Sequence, residues 1–398
     1  MSGRSLRLFI IAGEESGDRL AADLVGELAQ RFDEVEVTGV GGDRLRSCGL
    51  QTLFPMQDIS LMGISAVLAQ LPRLLRRISQ ATDAALRYKP DAVVLVDAPD
   101  FNLRVAKKIR AANPAIPIIK WVSPTVWAWR PGRAAAMRPY IDHLLALLPF
   151  EPEVHRDLGG PPCTYTGHPL FSRRAEFRPA RGERVPIGQA DPARLLVLPG
   201  SRHGEIKAHA GVFGEALGFA KAHGARFEVV VPTLARLESD VRAAVSGWPV
   251  PVEVVVGEDA RNAVFRSAHA ALAASGTVTL ELALAGVPMV VAYEPDRIIK
   301  ALSGFIRSWS IILPNLILGR PVIREYLGHQ FRPDMLGAAL AALLHDTPER
   351  RAQIESFSEL DSVMDTGART PAEVAADAVL ATIDAHKGGD RAAATPQG

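Results

Sequence analysis

The chain makes the same opening move twice. "LFIIAGEESGD" (Leu8–Asp18) and "LLVLPGSRHGE" (Leu195–Glu205) each run an apolar strand into a glycine-bearing loop and then into a helical pattern. A strand that is apolar throughout must be covered on both faces, which is the situation of a parallel sheet with helices on either side. Further short β-rich runs alternate with helical periods in both halves. The first half offers Leu6–Ala12, Val35–Val40, Ala92–Asp97, Ile116–Val122 and Leu144–Leu147. The second offers Leu195–Pro199, Phe227–Val231, Val252–Val256, Ala270–Ala273 and Met289–Ala292. Helices fit Asp18–Arg31, Arg73–Tyr88, Val212–His223, Thr277–Ala285 and Pro333–Leu344.

A chain of 398 residues exceeds one ordinary core, so two domains are expected. The pattern predicts an α/β protein made of two Rossmann-like domains facing across a cleft, residues 1–175 and 190–349. Between them, Ser172 to Arg194 is rich in Arg, Pro and Gly and reads as a linker. A final helical stretch within 350–388 is expected to return to the first domain. Hydrophobic content of 48% with 22% charged residues is globular rather than disordered. The formal net charge of +1 gives no global field toward nucleic acid, so any anionic partner must meet a local patch. The apolar run before Gly13 is too short for a signal peptide, and no uncharged apolar stretch reaches membrane-spanning length. Cys48 and Cys163 stand apart without a CxxC motif and read as reduced structural cysteines of a cytoplasmic protein.

In open α/β sheets, ligands bind beyond the carboxyl ends of the strands. "VDAPDFN" (Val96–Asn102) puts Asp97 at such an end, with Asp100 close behind. By itself a strand-end aspartate is more often a turn former or a helix cap. In "GEESGD", glycines allow close backbone approach, Ser16 or Asp18 can cap the helix, and Glu14, Ser16 and Gly17 suit a sugar hydroxyl or amide. "GVGGDR" lacks the third glycine of a dinucleotide fingerprint. "LPGSRHGE" offers the amides of Gly200 and Ser201 and the guanidinium of Arg202 to phosphate oxygens, or is simply a turn with a solvated arginine. "ASGTVTLELALAGVP" adds Ser275, Gly276 and Thr277 at a helix start, with Glu281 one turn on for a ribose diol. Two anion sites in one half favour a nucleotide diphosphate. No spacing suggests a metal site, and no cofactor is expected; His203 and His209 are wrongly spaced for one helix face. The tryptophans of "WVSPTVWAWRPGR" suit either a core or a cleft wall. Leu61–Ile78 and Ile298–Leu313, apolar with interspersed basic residues, suit either a packed helix or an anionic lipid surface.

Together these motifs, with "LMGISAVL", "LPFE", "GHPL" and "LPNLILGR", occur in the order seen in the lipid-A-disaccharide synthases, which the chain resembles from about Leu8 to about Leu344. The resemblance implies a GT-B glycosyltransferase. It would move 2,3-diacylglucosamine from UDP to the 6-hydroxyl of 2,3-diacylglucosamine 1-phosphate, giving the β-1,6-linked disaccharide of lipid A. The family is Gram-negative and peripheral on the cytoplasmic face of the inner membrane, because both substrates carry acyl chains. A homodimer is a further candidate assembly. On this resemblance Asp97 matches the essential carboxylate and natural general base, and Arg202 the residue on the diphosphate. Ser275, Gly276, Thr277 and Glu281 then surround phosphate and ribose, and "LPNL" brings Asn315 to the site. The sequence departs from the commoner "VAYR" at "VAYEPD", where Arg297 or Lys300 could substitute for a basic residue at Glu294. A UDP-N-acetylglucosamine 2-epimerase is the nearest enzymatic rival; a non-catalytic nucleotide-sugar or lipid-binding protein is the rival from another class.

Overall fold

The computed structural model describes residues 4–59, 71–295 and 307–393, with side chains described to 388. It divides into two units: Met1–Pro169 with Thr366–Gly398, and Leu170–Asp365.

The first unit carries seven strands: β1 (Ser5–Ala12), β2 (Glu34–Val40), β3 (Gln51–Thr52), β4 (Ala92–Val96), β5 (Ile118–Trp121), β6 (His143–Ala146) and β7 (Cys163–Tyr165). They lie in the order β3-β2-β1-β4-β5-β6-β7, every neighbouring pair parallel. Every residue of β4 is buried, as the unbroken apolar run of a doubly covered strand requires. Two cores result. On one face Leu74, Ile78 and Ala81 of the helix Leu71–Tyr88 and Val105 and Ile109 of the helix Pro99–Ala112 cover Phe9, Val93 and Leu95. On the other, Leu20, Leu24 and Leu28 of the helix Glu15–Ala29 meet Ala375, Val379 and Ile383 of the helix Pro371–Ala393.

The second unit repeats the topology with β8 (Ala193–Leu198), β9 (Phe227–Thr233), β10 (Val252–Val256), β11 (Ala270–Ala273), β12 (Met289–Tyr293) and β13 (Glu325–Leu327). Their order is β10-β9-β8-β11-β12-β13, again all parallel. Its core gathers Val197, Val231, Leu272 and Ala292 of the strands under Phe213 and Leu217 of the helix His203–Ala222 and Leu336 and Leu340 of the helix Pro333–Leu343.

Two boundary expectations are corrected. The segment expected to link the domains is irregular in backbone but belongs to the second unit. Arg184 donates to the carbonyls of Phe265, Arg266, Ala285 and Gly286, at the C-terminal ends of two helices where carbonyls lack intrahelical partners. Arg178 donates to Leu284 O and pairs with Asp361. The arginine richness that suggested a linker is a set of straps. The stretch 350–388 is also two helices: Pro348–Val363 stays with the second unit, where Gln353 accepts from Met289 N, and only Pro371–Ala393 returns.

Both sheets reverse their order once, between β1 and β4 in the first unit and between β8 and β11 in the second. At such a switch point the two loops leave on opposite faces of the sheet and open a crevice at its carboxyl edge. The candidate residues, Asn315 excepted, fall at these two places.

Candidate active site

In the first unit the crevice is built around one strained turn. Asp97 and Ala98 follow β4 with φ of 55° and 39°, two consecutive non-glycine residues in the left-handed region. That conformation is costly for alanine and tolerable for aspartate, and such strain clusters at functional sites. Three neighbours hold it. Asn102 is fully buried and donates from its amide to Val96 O at 3.0 Å and Asp97 O at 2.8 Å. The Asp97 N–H donates to Trp121 O at the end of β5. Gly13 lets the β1 loop approach, since a β-carbon there would lie 2.3 Å from that of Ala98. The Asp97 carboxylate stays half-buried and accepts from Ser16 Oγ at 3.4 Å; a β-carbon on Gly17 would sit 3.4 Å from its Oδ2. Ser16, Gly17, Asp97 and Asn102 therefore come together, with Glu14 in the same loop.

Other carboxylates in these motifs have structural duties. Asp18 is buried and does not cap its own helix: it accepts from the N–H groups of Gly42 and Arg44, holding the N-terminus of the short helix Asp43–Ser47. That explains "GVGG", because a β-carbon on Gly42 would lie 2.7 Å from Asp18 Oδ2. Asp100 is not an N-cap but sits in the first turn of Pro99–Ala112, exposed, with its carboxylate on Arg133 at 2.9 Å. The tryptophans divide. Trp121 is core and donates to Thr166 Oγ1, Trp127 donates to Glu151 at 3.3 Å, and Trp129 is partly exposed under the Arg130 guanidinium. Glu151, of "LPFE", is buried and also accepts from Leu148 N. Burial pushes its carboxyl up to about 7, and the hydrogen bonds to Leu148 and Trp127 oppose the shift.

In the second unit a cavity of about 530 Å³ opens at the switch point. Gly200, Ser201, Arg202, Ser275, Gly276, Thr277 and Glu281 all line it, so every candidate of this half except Asn315 is brought to one place. Gly200 has φ of 138°, and a β-carbon there would lie 2.3 Å from that of Glu205. Glu205 closes the loop by accepting from Ser201 N at 2.9 Å and Arg202 Nη1 at 2.8 Å. Arg202 is largely exposed and precedes the 20-residue helix His203–Ala222, whose dipole adds to its positive charge. Ser275 donates to Ile311 O, and Thr277 stands at the N-cap of Val278–Leu284. Glu281 is buried, and burial raises its carboxyl while Arg261, on both its oxygens at 2.7 and 3.4 Å, opposes the shift. Pro232, Leu234 and Ala235 give the cavity an apolar wall.

Asn315 lies elsewhere. It is buried, donates to Ile323 O and accepts from Ile323 N, both at 2.8 Å, and also reaches Ser310 Oγ at 3.4 Å. Its amide braces the loop whose Ile311 carbonyl receives Ser275. Glu294 donates its backbone N–H to the ring of buried His209, whose other nitrogen bonds Pro199 O. The alternatives Arg297 and Lys300 lie outside the described residues, as does most of each proposed lipid-facing segment (Leu61–Ile78 and Ile298–Leu313). In the described part, Arg73 and Arg77 both pair with Asp58, which is 6% exposed. Sequence reasoning missed Arg261, whose helix Glu258–Ser267 is too short and polar to show a clear period. It also missed Lys120, a lone charge inside an apolar strand.

The comparisons with known proteins come to the same region of fold space. The family model described as lipid-A-disaccharide synthetase matches residues 8–379. A lipid-A-disaccharide synthase of Bradyrhizobium diazoefficiens is 51% identical over 387 residues, covering 96% of this chain and 98% of the relative. One of Rhodospirillum centenum is 43% identical, covering 99% and 98%. Among solved structures, a UDP-GlcNAc 2-epimerase of Neisseria meningitidis bound to UDP-GlcNAc superposes with a TM-score of 0.61 at 12% identity, over 94% of this chain and 100% of that one. MurG of Acinetobacter baumannii superposes at 0.51 with 15% identity, over 97% and 99%. At such identities the structural likeness speaks for the fold alone.

Proposed function

The chain belongs to the lipid-A-disaccharide synthase family of glycosyltransferases, and from that premise we propose that it transfers 2,3-diacylglucosamine from UDP to the 6-hydroxyl of 2,3-diacylglucosamine 1-phosphate. In this reading the acceptor oxygen attacks the anomeric carbon, the bond to the diphosphate breaks, UDP leaves, and the hydroxyl proton passes to Asp97. A direct displacement inverts an α-linked donor to a β-linked product and needs two things: a base at the nucleophile and neutralisation of the leaving diphosphate.

The observation that carries the reading is the half-buried carboxylate of Asp97, held in a strained turn at the switch point of the first sheet. A group that only capped a helix would not need left-handed backbone at two residues and a buried asparagine to hold them. The second unit supplies what a UDP group asks for. Arg202, Ser201 N–H and the start of His203–Ala222 suit the diphosphate, Glu281 suits the ribose hydroxyls, and the Pro232–Ala235 wall suits the flat face of uracil. To reach the diphosphate, Arg202 shares or releases Glu205. No helix among the described residues is long and apolar enough to cross a membrane, and acylated substrates are best met by peripheral contact with an anionic inner-membrane surface.

The test is UDP release from acylated donor plus acceptor, with product identified by mass spectrometry. Asp97→Ala should lose roughly 10²–10⁴ in turnover, the usual worth of a general base, while UDP still binds. Wild-type turnover in that variant would remove Asp97 from the mechanism. Epimer formation from UDP-N-acetylglucosamine alone would support the epimerase instead.

A further inference from the structure

Lys120 is fully buried in the middle of the first sheet, in a strand otherwise made of Ile118, Ile119 and Trp121. Burying an ammonium costs several kcal/mol on general grounds, so a lysine here calls for a reason. No carboxylate among the described residues forms a salt bridge with it. Its Nζ instead donates to Trp121 O at 2.6 Å and to Val122 O at 2.9 Å, folding back over the end of its own strand. The first of these carbonyls belongs to the scaffold of the strained turn. Trp121 O also accepts the N–H of Asp97 at 3.1 Å. Val122 has φ of 69°, a conformation that a β-branched residue adopts only under constraint.

We propose that Lys120 is a positioning residue for Asp97: its ammonium fixes the Trp121 and Val122 carbonyls and so holds the carboxylate in its left-handed turn, while its charge is coupled to that carboxylate's. The proposal rests on the reading of Asp97 as the base. Two charged groups face the ammonium, Asp97 from the end of β4 and Glu151 from the helix Glu151–Asp157; on the same helix His155 is held neutral by burial, its ring down at about 4. Burial brings the Lys120 ammonium down to about 8, and the charges of Asp97 and Glu151 work against that fall.

Coupling between two charges is reciprocal. Removing the Asp97 charge must loosen the proton on Lys120, and removing Lys120 must release the carbonyls that hold the turn. The first half of this is testable in a variant expected to fold, because Asp97→Asn alters only a half-buried side chain. Lysine labelled with ¹³C at Cε, titrated by NMR, should show the Lys120 resonance moving to lower pH in Asp97→Asn than in the unaltered enzyme. An unmoved titration would overturn the electrostatic part of the proposal whatever Asp97 does in catalysis.

The second half is kinetic. Lys120→Met keeps the length and apolar stem of the side chain and removes the charge. It should lower kcat by about 10²-fold, the scale of a misplaced reacting group, with donor KM within about twofold. If Lys120→Met folds with kcat within about threefold, Lys120 is a structural residue only. If Lys120→Met does not fold, the NMR titration decides alone. Failure of the base assignment itself would show separately, as retained turnover in Asp97→Asn.

Discussion

The two sheets share one strand order and one switch point, yet their crevices carry opposite chemistry. In the first unit the crevice presents a carboxylate on a strained turn, with a buried ammonium and a buried glutamic acid around it. In the second it presents a guanidinium and helix N-termini, with the acidic groups bound to arginines as Glu205–Arg202 and Glu281–Arg261. Topology fixes where a ligand can sit, and the residues in the loops after β1, β4, β8 and β11 decide what it is. On the proposed function, one scaffold would serve a hydroxyl that must lose a proton and a diphosphate that must leave with charge.

The contrast can be broken at its most buried point first. Arg261→Ala leaves the Glu281 carboxylate without its partner, and breaking a buried pair on one side costs about 3 kcal/mol. Urea unfolding should register that loss, and Arg261→Ala with Glu281→Gln should recover much of it. If the single variant is as stable as the parent, Glu281 is solvated more freely than its burial implies. Arg202→Ala comes next: loss of a charge-assisted contact to phosphate should weaken UDP binding by about 10- to 100-fold in calorimetry, with little change in stability. Undiminished UDP affinity would move the diphosphate away from "LPGSR".

The smallest effect sharpens the other unit. Glu151 in the folded chain holds its proton up to about 7, above the ordinary carboxyl value. A raised carboxyl contributes stability that is present below the unfolded value and is lost as pH rises through the folded one, here between roughly pH 4.5 and 7. Glu151→Gln should flatten that fall, and the gap between variant and parent should reach on the order of 2 kcal/mol by pH 8. His155, held neutral, contributes the opposite slope between its folded value of about 4 and the ordinary 6.5, but equally in both proteins, so it cancels in the difference. Parallel pH profiles would mean that Glu151 ionises at little cost.

Much of this was legible in the residues. The central strands announced themselves because burial on both faces demands unbroken apolar runs, and Ala270–Ala273 is matched end to end; the half-exposed edge strand Val252–Val256 is matched too, on its valines. The short strands β3, β7 and β13, of two or three residues, carry too few side chains to show any period. That the second-unit candidates line one cavity was foreshadowed because a strand end followed by glycine or serine is a local pattern. The bracing contacts of buried Asn315 were not legible, since its amide's partners lie eight positions away in a loop. Lys120 left one overlooked signal, a lysine in a run covered on both faces. Arg184 and Arg178 left none, because helix ends distant in sequence set their partners.

The division of labour between the units is tested most directly by measuring turnover and UDP affinity side by side in Asp97→Asn and Arg202→Ala. A crossed result is expected: Asp97→Asn loses at least about 10² in turnover and binds UDP as the parent does, while Arg202→Ala loses UDP affinity. Parent-like turnover in Asp97→Asn, or loss of UDP binding there, would contradict the account.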